Sequence, residues 1–374
     1  VAAPRLASLK GSPAVTEPAR VMLVDDSGVS RALMTRWIED SGVGRVVATA
    51  ANGRAAIEKL AAVRIDVIVL DIEMPELDGL AALPRLLAAQ PGIQVLMCSS
   101  LSQQGASATV QALRLGAADA IGKPRAGWVI GGGTDFRAEL IAKVRALGAA
   151  ARRRPGDSGP TEAPALPGAL AAAPVRPAVS SRRPQAIVIG ASTGGPNALF
   201  RLLDLLPREL DVPVFVTQHM PPTFTAILAE HLARHTQRPS HEAENDAFAQ
   251  PGHVYIAPGG QHMSLVGKPG RVRIVVNDDA AENFCRPSVN PLMRSAARVF
   301  GRGALGIMLT GMGTDGLEGA RELVAAGGML IAQDEATSVV WGMPGSVVRE
   351  GLAAEVLALD DIAAAVARQL GLPQ

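Results

Sequence analysis

The sequence is poor in aromatic residues, which make up 3% of its 374 positions, and it contains only two cysteines, Cys98 and Cys285. A core with so few rings must be packed from Leu, Val, Ile and Ala. Two cysteines in otherwise ordinary segments give no disulfide framework, which fits a reducing cytoplasm. No apolar run is long enough to span a bilayer, so direct membrane insertion is not expected. Residues 1–19 carry Pro, Ser and Lys but no apolar stretch of a secretion signal, and read as a disordered lead-in. An excess of one charge is missing too. The formal net charge of +1 gives no general attraction to nucleic acid or to an anionic surface. What is present, 48% hydrophobic and 19% charged residues, suits a globular chain long enough for two or three domains.

Strand and helix patterns alternate over residues 20–147. Buried apolar runs at 21–24, 46–48, 67–70, 95–98 and 117–121 are separated by helical periods, one of them flawed by Pro84. Such alternation predicts a doubly wound, flavodoxin-like parallel sheet, which binds ligands at the carboxyl ends of its strands. The polar residues fall at those ends: Asp25 and Asp26, Asp71, Ser99 and Lys123. Three carboxylates converging on one edge repel unless a cation or proton joins them, and a hard ion such as Mg2+ suits oxygen ligands. A nearby ammonium and hydroxyl would stabilise a phosphoryl group placed on one carboxylate. After Leu147 the composition changes. Residues 148–184 are rich in Pro, Ala and Arg, lack an apolar period, and read as an extended linker.

Residues 185–372 again alternate strands and helices, with a hairpin expected at 262–266 and 271–276 as an antiparallel elaboration of a parallel sheet. The stretch from Ala186 to Pro196 ends a buried strand in Gly190-Ala191-Ser192-Thr193-Gly194. That string matches a nucleophile turn, but a phosphate-binding turn or a plain structural turn would look similar. His219 follows the apolar run 214–218, and Asp315 lies in the Gly-rich segment after the run 305–309. In a parallel sheet these ends share one edge, so a hydroxyl, an imidazole and a carboxylate can meet there. The order Ser, His, Asp differs from that of α/β-hydrolases. A dinucleotide site would want an acid where Gln218 and His219 stand. The domain therefore reads as a hydrolase. Rival readings are a partner-binding output domain without chemistry and a small-molecule esterase; a helix-turn-helix output would be smaller and basic. Of the other histidines, His231 and His235 read as exposed, while His262 could line the cleft.

Two sets of motifs carry a resemblance. Asp25-Asp26-Ser27, the segment from Asp71 to Gly79, Ser99 and Lys123-Pro124 resemble the two-component receiver domain. The resemblance implies that Asp71 accepts a phosphoryl group from a histidine kinase of the CheA type. It implies that Asp26, Asp71 and the Glu73 backbone carbonyl hold Mg2+ beside Asp25, and that Ser99 and Lys123 bind the phosphoryl oxygens. One departure is Ala120, where many receivers carry an aromatic. In the second domain, Gly190 to Pro196, Thr217-Gln218-His219-Met220, Ala257-Pro258-Gly259, Arg286 to Asn290 and Leu309 to Gly316 resemble the CheB family of chemotaxis protein-glutamate methylesterases. That resemblance covers all but residues 1–19 and the linker. It implies a cytoplasmic enzyme that demethylates γ-glutamyl methyl esters, and deamidates glutamines, on chemoreceptors. Ser192, His219 and Asp315 would be catalytic, Thr193 and Met312 would support the oxyanion, and the ester chemistry would need no cofactor. An unphosphorylated receiver would pack over the esterase cleft.

Overall fold

The structure, a computed structural model, describes residues 17–100, 102–123, 134–153 and 183–373. Most of the expected lead-in (1–16), Pro124 and the linker segment 154–182 lie outside the described residues. The first unit runs β1 (Ala19–Val24), α1 (Gly28–Asp40), β2 (Gly44–Ala50), α2 (Gly53–Leu60), β3 (Val67–Asp71), α3 (Gly79–Ala89), β4 (Gln94–Ser100), α4 (Gln103–Arg114), β5 (Asp119–Lys123) and α5 (Thr134–Arg152). Its five strands are parallel in the order β2-β1-β3-β4-β5, with β1 and β3 almost wholly buried. Short polar side chains start the helices: Asn52, Asp78 and Ser102 accept backbone N–H groups from the first turns of α2, α3 and α4 at 2.7–3.0 Å. These caps satisfy donors that an isolated helix start leaves unpaired. The last helix continues past Leu147 into what the composition marks as linker.

The second unit runs β6 (Ala186–Ala191), α6 (Gly195–Leu205), β7 (Val214–Gln218), α7 (Phe224–Thr236), β8 (Ser240–Glu242), β9 (Val254–Ile256), β10 (His262–Lys268), β11 (Arg271–Asn277), α8 (Val289–Phe300), β12 (Ala304–Met308), α9 (Leu317–Ala325), β13 (Met329–Gln333), α10 (Met343–Arg349), β14 (Glu355–Leu357) and α11 (Leu359–Leu370). Seven strands form one parallel sheet, β14-β13-β12-β6-β7-β9-β8. The expected antiparallel hairpin is present as β10-β11; it forms a two-stranded sheet of its own beside the parallel one, β11 also bridges to Phe248 through Arg273, and Leu265 N–H of β10 donates to Ser295 Oγ of α8 at 2.9 Å. Alternation along β6 feeds two cores. Ile187 and Ile189 join one apolar cluster with Leu199, Leu203 and Val366, while Ala186 and Val188 join another with Leu292 and Leu323. Both faces are thus covered, as a parallel sheet requires. From β6 the chain steps to β7 on one side and later returns to β12 on the other, which opens a crevice at the carboxyl ends. Among the described residues no helix is long and apolar enough to cross a membrane.

The two units touch. Ala106 and Val110 of α4 are buried in the same cluster as Leu199, Phe200 and Leu203 of α6.

Leu330 tests the core of the larger sheet: it is fully buried in β13 against Gly306, where a Cβ would come within 2.8 Å of its Cδ1. Leu330→Ala is expected to cost about 2–5 kcal/mol in urea denaturation. A cost within the noise of the melt would contradict this packing.

Candidate active site

Register fixes the site. Ala191 of β6 pairs with Gln218 of β7, so the next residues, Ser192 and His219, leave the sheet side by side. His219 N–H donates to Ala191 O at 3.1 Å, and Gln218 Nε2 donates to Ser192 O at 3.0 Å. The turn after Ser192 depends on two glycines. Gly194 has φ 78°, and a Cβ on Gly195 would lie 2.0 Å from Gln218 Oε1. Ser192 N–H is occupied by Thr310 O at 3.1 Å, and Gly195 N–H turns back to Ser192 O at 2.7 Å. Among the described residues the N–H groups of Thr193 and Met312 donate to no acceptor.

Asp315 stands just before α9 and is buried. Its Oδ2 lies 2.9 Å from His219 Nε2 and accepts Val289 N–H at 2.7 Å. Its Oδ1 accepts Ser288 Oγ–H at 2.6 Å and the side-chain amides of Asn283 and Asn290 at 3.3 and 3.4 Å. Burial works against the charge on Asp315, yet these donors prevail and hold its pKa below the usual carboxylate value. The same carboxylate acts on the ring. Burial opposes a charged His219, but hydrogen bonds to Asp315 and to Cys285, whose Sγ is 3.7 Å from Nδ1, raise its pKa to about 9. His219 and Asp315 are therefore joined directly, while Ser192 is brought beside them by the strand register and its hydroxyl makes no hydrogen bond to His219.

Sequence reasoning assigned no part to Ser288, Asn283, Asn290 or Cys285 individually; their signal was the string around Arg286-Pro287-Ser288-Val289-Asn290. His262, expected to line the cleft or to support it from behind, takes the second place: it is buried, and its Nδ1 accepts Ser288 N–H at 3.1 Å. His235 is exposed, with its ring edge on Phe200, whereas His231 is half-buried rather than exposed.

At the other sheet edge, Lys123 Nζ lies 2.7 Å from Asp71 Oδ2 and 2.8 Å from Asp25 Oδ2. Asp71 and Asp25 are buried and Asp26 is exposed; one oxygen from each lies within 4.8 Å of the others. Burial pushes the Asp71 carboxyl up to about 6, against the pull of Lys123. An all-oxygen donor set of this kind fits Mg2+. Glu73 is exposed beside it, and its carboxylate accepts Ser100 Oγ–H at 3.3 Å. Ser99 is buried, with its hydroxyl engaged by Thr109 Oγ1 at 2.8 Å.

The two sites are linked through β5. At its far end from Lys123, Asp119 Oδ2 accepts Thr193 Oγ1–H at 2.6 Å and pairs with Lys143 Nζ at 2.9 Å. Just before it, Ala118 O accepts Gly194 N–H at 3.1 Å, and Ala117 O accepts the Asn197 amide at 2.9 Å. The first unit thus grips the turn that carries Ser192.

A buried acidic site with a lysine on one α/β unit, held against a hydroxyl-bearing turn on a second, is the build of a response regulator with an output domain of its own. Residues 21–127 match the response regulator receiver family and residues 187–366 the CheB methylesterase family. The chain is 48% identical over 359 residues to the protein-glutamate methylesterase/protein-glutamine glutaminase of Nitrobacter hamburgensis, across 94% of each protein. It is 47% identical over 361 residues to the protein of the same description from Azospirillum brasilense, across 92% of this chain and 91% of that one. The crystal structure of the Thermotoga maritima CheB methylesterase catalytic domain matches at 39% identity and a TM-score of 0.48, covering 50% of this chain and 98% of that domain. This chain belongs to the CheB methylesterase family, with a receiver domain at its N-terminal side.

The Asp315 contact sets the charge state of His219, and a ring titration followed by NMR checks it. The imidazole is expected to lose its proton well above 6.5, toward about 9. Asp315→Asn removes the neighbouring negative charge while burial stays, so the midpoint should fall; an unmoved midpoint would contradict the coupling.

Proposed function

We propose that this protein hydrolyses γ-glutamyl methyl esters, and deamidates selected glutamines, on the cytoplasmic helices of chemoreceptors. The observation that carries the reading is the 2.9 Å pair between His219 and buried Asp315, set by strand register beside the half-buried Ser192. Nε2 is held by Asp315, so Nδ1 is the base once the ring has lost its second proton, and with a pKa of about 9 that form grows as pH rises toward 9. Ser192 Oγ attacks the γ-carbonyl, and Nδ1 takes its proton. The tetrahedral centre collapses to an acyl-enzyme as Nδ1 returns the proton to departing methanol, or to ammonia from a glutamine. Water then attacks the acyl group, Nδ1 accepts its proton, and the glutamate carboxylate leaves as Ser192 is restored. The uncommitted N–H groups of Thr193 and Met312 are the candidate donors to the oxyanion. Asp315 holds the ring orientation and offsets the imidazolium charge.

Control comes from the receiver. Asp71 is the phosphoryl acceptor for a histidine kinase. Asp26, Asp71 and the Glu73 carbonyl would hold Mg2+, which when bound supplies positive charge for the incoming phosphoryl oxygens. Lys123 is placed to bind one of those oxygens. Ser99 would have to turn its O–H away from Ser100 O, 3.1 Å off, to do the same. While Asp71 is unmodified, the receiver's hold on Thr193, Gly194 and Asn197 keeps the nucleophile turn covered; a shift of a few kcal/mol in that docking suffices for a switch.

The test is methanol release from methylated receptor membranes, with and without a small-molecule phosphodonor. The intact protein should be accelerated by the donor, Asp71→Asn should lose the response while keeping the basal rate, and Ser192→Ala should release none. Full activity in Ser192→Ala would remove the triad from the reading. A rate indifferent to the donor would remove the switch.

A further inference from the structure

Cys285 has no part in the hydrolysis above, yet its thiol faces the working nitrogen of His219. It is half-buried, whereas the chain's other thiol, Cys98, is fully enclosed in β4 and has its pKa pushed up by burial. The Cys285 loop is held from several directions. Both oxygens of Glu282 bind Arg294 at 2.9 and 3.2 Å, Cys285 N–H returns to Glu282 O at 2.9 Å, and Asn283 reaches Asp315. The placement of Sγ is thus a consequence of the same network that holds the Asp315 carboxylate.

The separation of Sγ and Nδ1 is 3.7 Å. In tetrahedral zinc sites, bonds of about 2.3 Å to sulfur and about 2.0–2.1 Å to imidazole nitrogen put the two donors roughly 3.6 Å apart. The ring is also oriented as metal-binding histidines are. Its Nε2 lies on a carboxylate, so when the ring gives up its second proton the Nδ1 lone pair faces the thiol. One atom each of His219, Cys285 and Asp315 lies within 4.8 Å of the others.

We propose that Cys285 Sγ and His219 Nδ1 form a site for a thiophilic divalent cation, Zn2+ above all, whose binding silences the esterase. On binding, the thiol proton and the Nδ1 proton of the charged ring both go to solvent, sulfur and nitrogen each donate a lone pair, and no electron is transferred. Asp315 stays on Nε2–H as the orienting partner, and water fills the remaining positions. A metal there occupies the nitrogen that must accept the Ser192 proton, so inhibition rests on the role given to His219 above. Mg2+, a hard ion that prefers oxygen, does not compete for this pair.

The full-length protein tests this with Co2+ as a spectroscopic probe and Zn2+ as inhibitor. Wild type should develop thiolate-to-cobalt charge-transfer absorption, and Cys285→Ser should not. Zn2+ should stop methanol release reversibly, with chelator restoring it. Cys285→Ser should need at least about tenfold more Zn2+ for half-inhibition, each variant being normalised to its own metal-free rate. Equal Zn2+ sensitivity in the two proteins would overturn the proposal. So would a cobalt–thiolate band that persists in Cys285→Ser, since the metal would then sit on Cys98. A Cys285-dependent band in a protein without any esterase activity would support the metal site and sink the hydrolase reading instead.

Discussion

Strand β5 is the constraint on which the two halves of this molecule depend. It is five residues long, so Lys123 at one end and Asp119 at the other are separated by about 13 Å of nearly inextensible backbone. Lys123 bridges Asp71 and Asp25, while Asp119 holds the hydroxyl of Thr193, the residue after Ser192. Because Asp119 is buried and paired with Lys143, its charge is not screened away, and loss of either partner would leave the other costly to bury. Under the proposed control, a phosphoryl group on Asp71 changes the charge beside Lys123, and any resulting shift of β5 is felt at the Ser192 turn. Ala120, the second residue of the strand, carries no ring, so this link runs through backbone and Asp119 rather than through an aromatic arm.

A second organising group is the Asp315 carboxylate. It gathers donors from the loop before α8, from α8 itself and from His219 beyond β7, and thereby ties three separate stretches to one point. A buried carboxylate with that many donors stays ionised, and an ionised carboxylate keeps the neighbouring imidazole basic. Stability and chemistry draw on the same hydrogen bonds here, which is why the Cys285 loop lies against the site rather than apart from it.

Much of this was legible beforehand because the informative residues end buried apolar runs. Asp71, Lys123, Ser192 and His219 each terminate a strand or follow one directly, and the bounds of β7 agree with its apolar run to the residue. The short strands β8 and β14 escaped notice, since three residues carry no period. So did α10, whose Pro344 and Gly345 argue against a helix that packing of Met343 and Val347 nonetheless holds. The run at 117–121 suggested a strand two residues too early: Ala117 and Ala118 are buried in the first unit's own apolar clusters, but they precede β5 and turn their carbonyls to the second domain. Asp119 lies inside that run and belongs to no motif, so nothing in the sequence singled it out. Tertiary contacts between domains leave no period in either one.

The central claim is that Ser192 is a nucleophile whose exposure the receiver governs, and the rate at which a fluorophosphonate labels it measures both properties at once. In the intact protein, labelling should fall on Ser192 and quicken at least about fivefold once a phosphodonor has modified Asp71. Labelling elsewhere, or at a rate the phosphodonor leaves unchanged, would contradict it.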